Sequence, residues 1–235
     1  MRNAISELGL SLQKAIWTRR AESWEQMENP GLNKVVDAVL EFSNPQSLGT
    51  AIDLGCGSGQ LALPLAKRFD KVIAVDISPK MIEILENKAK DLGLSNVETQ
   101  VGALQHLNFA PNSVDLVVSN YVLHHLSDLE KAKIIKSSAQ WLRPGGQIVI
   151  GDMMFGRGLT SEDREIIASK LVEFIKRGPG GWWRIVKNVG RFVFRLQEKP
   201  ISQSAWRRIF ESAGLVDIEI KPIVAEAAVG IARRS

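Results

Sequence analysis

The sequence predicts an α/β fold built on a doubly wound, mostly parallel sheet. Two observations predict it. From Thr50 onward, short and largely apolar runs of strand length alternate with stretches of helical periodicity. Strands read as such runs when helices cover both faces of a parallel sheet. The first run, Thr50 to Leu54, ends in Gly55-Cys56-Gly57-Ser58-Gly59, and a helical pattern opens at Leu61. Strand, tight glycine turn and helix N-terminus in succession mark a sheet that binds ligands at the carboxyl ends of its strands.

Residues 1–28 form an amphipathic helical segment, with Ile5, Leu8, Leu10, Leu12, Ile16 and Trp24 set among polar residues. Trp17, Arg19, Arg20 and Trp24 crowd together within it. Pro30-Gly31 breaks the pattern, and a second helix follows from Leu32 to Glu41. After the loop Ser43 to Gly49 comes the first strand. The second strand, Lys71 to Val75, ends at Asp76. A helix spans Pro79 to Leu92, with Pro79 in its first turn and Gly93 after its end. A third strand covers Asn96 to Val101 and runs into Gly102-Ala103-Leu104. Pro111-Asn112-Ser113 turns the chain into a fourth strand, Val114 to Ser119. A helix from Leu129 to Leu142 and the turn Pro144-Gly145-Gly146 lead to the strand Gln147 to Ile150. The C-terminal part reads as helix Ser202 to Ala213, Gly214, and strands Val216 to Lys221 and Glu226 to Arg233.

A chain of 235 residues has room for one full core with an inserted subdomain. No apolar run approaches the roughly 20 residues of a membrane span. Glu7 and Lys14 interrupt any secretory core at the N-terminus. Cys56 is the single cysteine, which excludes an internal disulfide and a cysteine-based metal cluster. The expectation is a cytoplasmic protein without a metal site. Its net charge of +4 is mildly basic and does not by itself name a partner.

The glycine turn narrows the chemistry. A dinucleotide fingerprint G-x-G-x-x-G would need glycine where Gln60 stands, and the Lys-Ser/Thr ending of a P-loop is missing. What remains is Asp53-x-Gly55-x-Gly57-x-Gly59. A carboxylate beside the turn repels a pyrophosphate and attracts an ammonium group. At the tip of the second strand, Asp76 can accept from both vicinal hydroxyls of a ribose through charge-assisted hydrogen bonds.

This pattern closely resembles the first motif of the class I S-adenosylmethionine-dependent methyltransferases. The resemblance runs through roughly Pro45 to Asp152 and again from Ser202 to the end. It implies a seven-stranded Rossmann-like sheet with an antiparallel last strand, and S-adenosyl-L-methionine as cofactor. The loop Gly55, Cys56, Gly57 and Gly59 would pass under the methionine part, with Asp53 near its amino group. Asp76 would hold the ribose, and Ile77 and Met81 would flank adenine. Gly102, Ala103 and Leu104 would border the base. Ala103 departs from the family, which frequently carries Asp there to accept from the adenine amino group. Backbone groups near Ala103 and Leu104, or a neighbour such as Gln105, would have to serve instead. Ser119 and Asn120 would touch the methionine moiety.

Methyl transfer from a sulfonium is an in-line displacement, so positioning does most of the work. A base is needed only where the acceptor must lose a proton. His124, His125 and Asp152, near the ends of the fourth and fifth strands, are the candidates. A loop-shaping role is the alternative for the histidines, and an ordinary strand-end turn the alternative for Asp152. Several acceptor classes are excluded by comparison with the family. Ser119-Asn120-Tyr121-Val122 is not the Asn/Asp-Pro-Pro-Tyr of adenine-N6 or glutamine methylation. No cysteine is free for cytosine-C5 or arsenic chemistry.

Three parts are expected: a helical lid at 1–44, a core at 45–155 and 201–235, and an inserted helical cap at 156–200. In the cap, Ser161 would cap a helix from Glu162 to Arg177. After Gly178-Pro179-Gly180-Gly181, residues 182–196 carry Arg184, Lys187, Arg191 and Arg195 on one helical face and apolar residues on the other. That segment would cover the acceptor site, and a basic amphipathic helix could also meet an anionic membrane or substrate. The expected function is methyl transfer to a small acceptor, apolar or anionic, such as a quinone, lipid or secondary metabolite. No stable nucleic-acid complex is expected. The alternatives are an RNA or protein methyltransferase, or a cofactor-binding regulatory subunit without turnover.

Overall fold

A computed structural model of the chain describes residues 2–25, 30–156, 164 and 198–235. Apart from Arg164, both cap helices expected within 156–200 lie outside these residues. The described part opens with α1 (Arg2–Glu25) and α2 (Pro30–Phe42). Strands and helices then alternate: β1 (Thr50–Leu54), α3 (Ala62–Ala66), β2 (Lys71–Asp76), α4 (Pro79–Asp91), β3 (Val97–Val101), β4 (Val114–Asn120), α5 (Asp128–Trp141) and β5 (Leu142–Met153). The end of the chain adds α6 (Gln203–Ser212), β6 (Leu215–Val224) and β7 (Ala227–Arg234).

The seven strands form one sheet in the order β3-β2-β1-β4-β5-β7-β6. β1 to β5 pair in parallel, whereas β7 runs antiparallel to both β5 and β6. Alternate side chains feed two cores. Ile52, Val117, Ile148 and Ile150 pack with Ile135, Trp141, Trp206 and Phe210 from α5 and α6. Ala51, Leu116, Val118 and Val149 pack on the other face, with Val35 and Val39 of α2, Leu65 of α3 and Leu85 of α4. This period of two in a sheet buried on both sides explains why the strands read as unbroken apolar runs.

Two boundaries differ from the sequence expectation. β5 starts at Leu142 rather than Gln147, because Leu142 still pairs with Val114. The register shifts between Val114 and Leu116, and this irregularity lets Pro144-Gly145-Gly146 lie within the strand. The helix after the glycine turn has only five residues.

α5 begins with a capping box. Ser127 accepts from the Glu130 backbone, and Glu130 Oε2 accepts from the Ser127 N–H at 2.7 Å. In the next turn, the side chain of Lys131 is fully buried. Its Nζ donates to the carbonyls of Leu126 at 2.8 Å and Lys199 at 2.6 Å. The Lys199 N–H in turn donates to the His124 carbonyl at 2.6 Å. These bonds tie residue 199 to the loop after β4.

Candidate functional site

The loops after β1, β2, β3 and β4 surround one cavity of about 110 Å³. Asp53, Gly55, Cys56, Gly57, Asp76, Ile77, Met81, Gly102, Ala103, Leu104, Asn120 and His125 all line it. Twelve of the residues singled out from the sequence thus meet in one place, at the carboxyl edge of the sheet.

The three glycines do different jobs. Gly55 has φ +76°, and a Cβ there would lie 2.4 Å from a methyl of Val122. Gly59 has φ +96°, and a Cβ would lie 2.4 Å from Leu85. Gly57, at φ +51°, would meet nothing within 4 Å. Only Gly57 leaves room for a ligand; the other two are required by backbone conformation and packing. Gly59 does not line this cavity.

Asp53 and Asp76 give the cavity its electrostatic character. Asp76 accepts from the Gly57 N–H at 3.0 Å and from the Ser78 N–H at 2.8 Å. Burial raises its pKa, and the backbone donors of Ser78, Gly57 and Ile77 oppose that rise. Asp53 is 1% exposed, and its Oδ2 has no hydrogen-bond partner. Burial, followed by the nearby charge of Asp76, pushes its pKa up to about 8. Burial also raises the Cys56 thiol, with both carboxylates adding to the shift. Asn120 Oδ1 is a second buried acceptor without a donor. An apolar-walled cavity with unpaired acceptors and two carboxylates is built for a cationic, hydroxyl-bearing ligand.

Ser119 does not reach this cavity. It is fully buried, and its Oγ donates to the Leu54 carbonyl at 2.7 Å, joining β4 to β1. The candidate bases separate in a similar way. Asp152 is fully buried and His124 is 5% exposed. Asp152 Oδ2 accepts from the His124 N–H at 2.8 Å, and Oδ1 lies 2.6 Å from His124 Nδ1. The Met153 N–H also donates to Oδ1 at 2.8 Å. The pair sits behind the cavity wall and anchors the loop. His125 stands in the wall, its ring 4.1 Å from that of His124. The Trp17 ring of α1 meets His125 edge-on at 5.3 Å.

Further wall residues come from outside the glycine turn and the strand-end carboxylates. Gln13 and Trp17 come from α1, and Ser78 Oγ bonds Thr18 Oγ1 at 3.3 Å, which holds that helix to the start of α4. Tyr121 lines the cavity in a left-handed conformation, φ +53°. Such backbone is uncommon for a bulky residue and has no local sequence signal. Its N–H donates to the Gly151 carbonyl at 2.8 Å. Burial raises its pKa, and Glu226 and Asp152 add to the rise. Among the described residues, no group of three or more His, Cys, Asp or Glu side chains could hold a metal. No described helix is long and apolar enough to cross a membrane.

Residues 51–146 match the family described as a methyltransferase domain. The uncharacterized methyltransferase YcgJ of Bacillus subtilis strain 168 is 32% identical over 101 residues, covering 43% of this chain and 39% of that protein. Phosphoethanolamine N-methyltransferase 3 of Arabidopsis thaliana is 29% identical over 150 residues, covering 63% of this chain and 29% of that protein. The match thus spans well under half the length of either relative. In fold, the crystal structure of the Bacillus YcgJ protein superposes with a TM-score of 0.60 at 22% identity, over 80% of this chain and 70% of that one. Geranyl diphosphate C-methyltransferase from Streptomyces coelicolor A3(2), in complex with geranyl diphosphate and S-adenosyl-L-homocysteine, gives 0.62 at 14% identity, over 85% of this chain and 76% of that one. With its sheet order, its antiparallel β7 and a methyltransferase-domain match over residues 51–146, the chain has the fold of the solved S-adenosylmethionine-dependent methyltransferases and is similar to methyltransferases in sequence over that stretch.

Proposed function

We propose that this protein transfers the methyl group of S-adenosyl-L-methionine to a small-molecule acceptor. The observation that carries the reading is the unpaired, buried Asp53 Oδ2, sharing one cavity with Asp76. When bound, the cofactor supplies an activated methyl on a positively charged sulfur. Asp53 accepts from its ammonium group, with Gly57 leaving the backbone bare beside it. The two oxygens of Asp76 accept from the Gly57 and Ser78 N–H groups, and the carboxylate keeps acceptor capacity for a ribose hydroxyl. Ile77, Met81 and Leu104 flank the base. Tyr121 and His125 mark the acceptor side of the wall.

The division between the two histidines supports distinct roles. His125 is the candidate base for acceptors that must lose a proton. His124 and Asp152 are positioning residues that hold the loop carrying His125. The N-terminal helix serves as a lid, a role supported by the Trp17 ring against His125. Residues 156–200 serve as the acceptor-side cap. A small, anionic acceptor is supported by two relatives named for phosphate-bearing substrates, phosphoethanolamine and geranyl diphosphate. We place the activity in the cytoplasm, in keeping with a single buried free cysteine.

Calorimetry with S-adenosylhomocysteine tests the cofactor assignment. Methyl-labelled cofactor incubated with fractionated metabolites then tests turnover. Micromolar binding and label transfer to a small, phosphate-bearing product are expected. Absence of nucleoside binding overturns the cofactor reading. Label found only in RNA or protein overturns the acceptor class, and binding without label transfer to any fraction points to the regulatory alternative.

A further inference from the structure

We infer that Gln105 reads the amino group of adenine through its side-chain oxygen, and that Glu130 is the positioning residue that fixes the direction of that amide. The inference rests on the cofactor reading above and adds the group that takes the place of the missing acid. Ala103 has no side-chain acceptor. Two residues further on, in the 3₁₀ turn Leu104–His106, the exposed Gln105 stands at the rim of the same cavity that Ile77, Met81 and Leu104 line.

A glutamine amide can present either a donor or an acceptor, and its neighbours decide which. Gln105 Nε2 donates to Glu130 Oε1 at 3.2 Å. The other oxygen, Glu130 Oε2, accepts from the Ser127 N–H at 2.7 Å and from the Ser127 hydroxyl at 2.6 Å. These bonds, with that from Gln105, hold the Glu130 carboxyl below its ordinary pKa. It therefore stays ionised at neutral pH and can only accept. Only the NH₂ side of the glutamine can face it. The amide oxygen is left as the acceptor, which suits a 6-amino purine and repels a 6-oxo one. The capping box of α5 thereby sets the polarity of the adenine end.

The test compares binding of S-adenosylhomocysteine with that of its 6-oxo analogue, S-inosylhomocysteine, by calorimetry. The wild-type protein is expected to prefer the adenine form by about 5- to 20-fold, the scale of one hydrogen bond made or mispaired at an exposed position. Gln105→Ala should weaken binding of the adenine form by about 5- to 20-fold and largely abolish the preference. Adding Ala103→Asp to that variant should restore it. Glu130→Gln keeps a residue suited to the capping box but frees the Gln105 amide to turn. It should lower the preference while changing the melting temperature little. If Gln105→Ala binds both ligands as the wild type does, or Glu130→Gln keeps the full preference, the inference is wrong and the cofactor assignment stands. If the wild-type protein binds neither ligand, both fall.

Discussion

Asp53 and Asp76 face one cavity from the ends of neighbouring strands, and the charge of Asp76 helps hold a proton on Asp53. With its pKa near 8, Asp53 is largely neutral at pH 6.5 in the ligand-free protein. An ammonium group favours the ionised form, so binding must expel the proton. S-Adenosylhomocysteine binding at pH 6.5 should therefore release about one proton, read from the dependence of the calorimetric enthalpy on buffer. Affinity should rise up to about tenfold per pH unit between pH 6 and 7 on this account. Asp53→Asn should abolish the release and weaken binding. An unchanged proton count in that variant would remove Asp53 from the ligand's surroundings.

The same carboxyl predicts a conflict between stability and binding. In the unfolded chain Asp53 ionises near pH 3.9, while in the native state it keeps its proton to about pH 8. The native state then binds more protons across that interval, so stability falls as pH rises from about 4 to 8. Ligand-free Asp53→Asn protein should melt at a higher temperature than wild type at pH 8, with the advantage shrinking toward pH 4.5. Scanning calorimetry at the two pH values checks the sign.

The glycine turn separates packing from ligand access. Gly55→Ala drives a methyl group into Val122 and forces left-handed backbone, so the folded protein should be lost or severely destabilised. Gly57→Ala has open space and meets only the backbone cost of φ +51°, about 1–2 kcal/mol. It should fold, while its affinity for S-adenosylhomocysteine drops by more than tenfold because the methyl group occupies the ligand's approach. Circular dichroism and calorimetry on the two variants separate the effects. Equal folding of both would show that Val122 yields readily.

Most of the fold was legible because its signals are local or periodic. Apolar runs gave β1, β2 and β4, and Pro79 with Gly93 bracketed α4. Asp53, Gly57 and Asp76 were legible because the chemistry demands those residue types next to a strand end. Ser119 and Gly59 lie off the cavity for a common reason. A residue at a strand end, or in the turn beyond it, can face the ligand or the neighbouring element, and sequence spacing does not say which. The choice lies in long-range partners, Leu54 for one and Leu85 for the other. Tyr121 and Trp17 reach the cavity through tertiary placement that no motif encodes. The capping box was a missed signal: Ser127-Asp128-Leu129-Glu130 is written in the sequence.

Asp152 and His124 should behave as positioning residues, unlike His125. Asp152→Ala leaves the His124 N–H, the His124 ring and the Met153 N–H without their acceptor in a fully buried site. A stability loss of about 3–5 kcal/mol is expected. His125→Ala removes one wall residue and should leave S-adenosylhomocysteine binding within about threefold of wild type. For an acceptor that must lose a proton, its turnover should fall by about 100-fold or more. Equal turnover of His125→Ala and wild type on such an acceptor would reject the base.

Lys131 gives the strongest purely structural prediction. Its ammonium group is fully buried and donates to two carbonyls, one in the loop after β4 and one at residue 199. Asp128 lies 3.5 Å away, at a partly exposed position, and adds modest attraction. Hydrogen bonds from a charged donor contribute about 1.5–3 kcal/mol each, and orphaned buried carbonyls add to the loss when the donor is removed. Lys131→Ala should therefore cost about 3–5 kcal/mol by chemical denaturation. Lys131→Met fills the same space without the charge and should cost less than Lys131→Ala, because the stem's packing survives. In both variants the carbonyl of residue 199 loses its tie to the loop bearing His124 and His125. Acceptor turnover should then fall more than cofactor affinity, which depends on β1 and β2. Matching losses in both quantities would mean that Lys131 supports the fold as a whole rather than this connection.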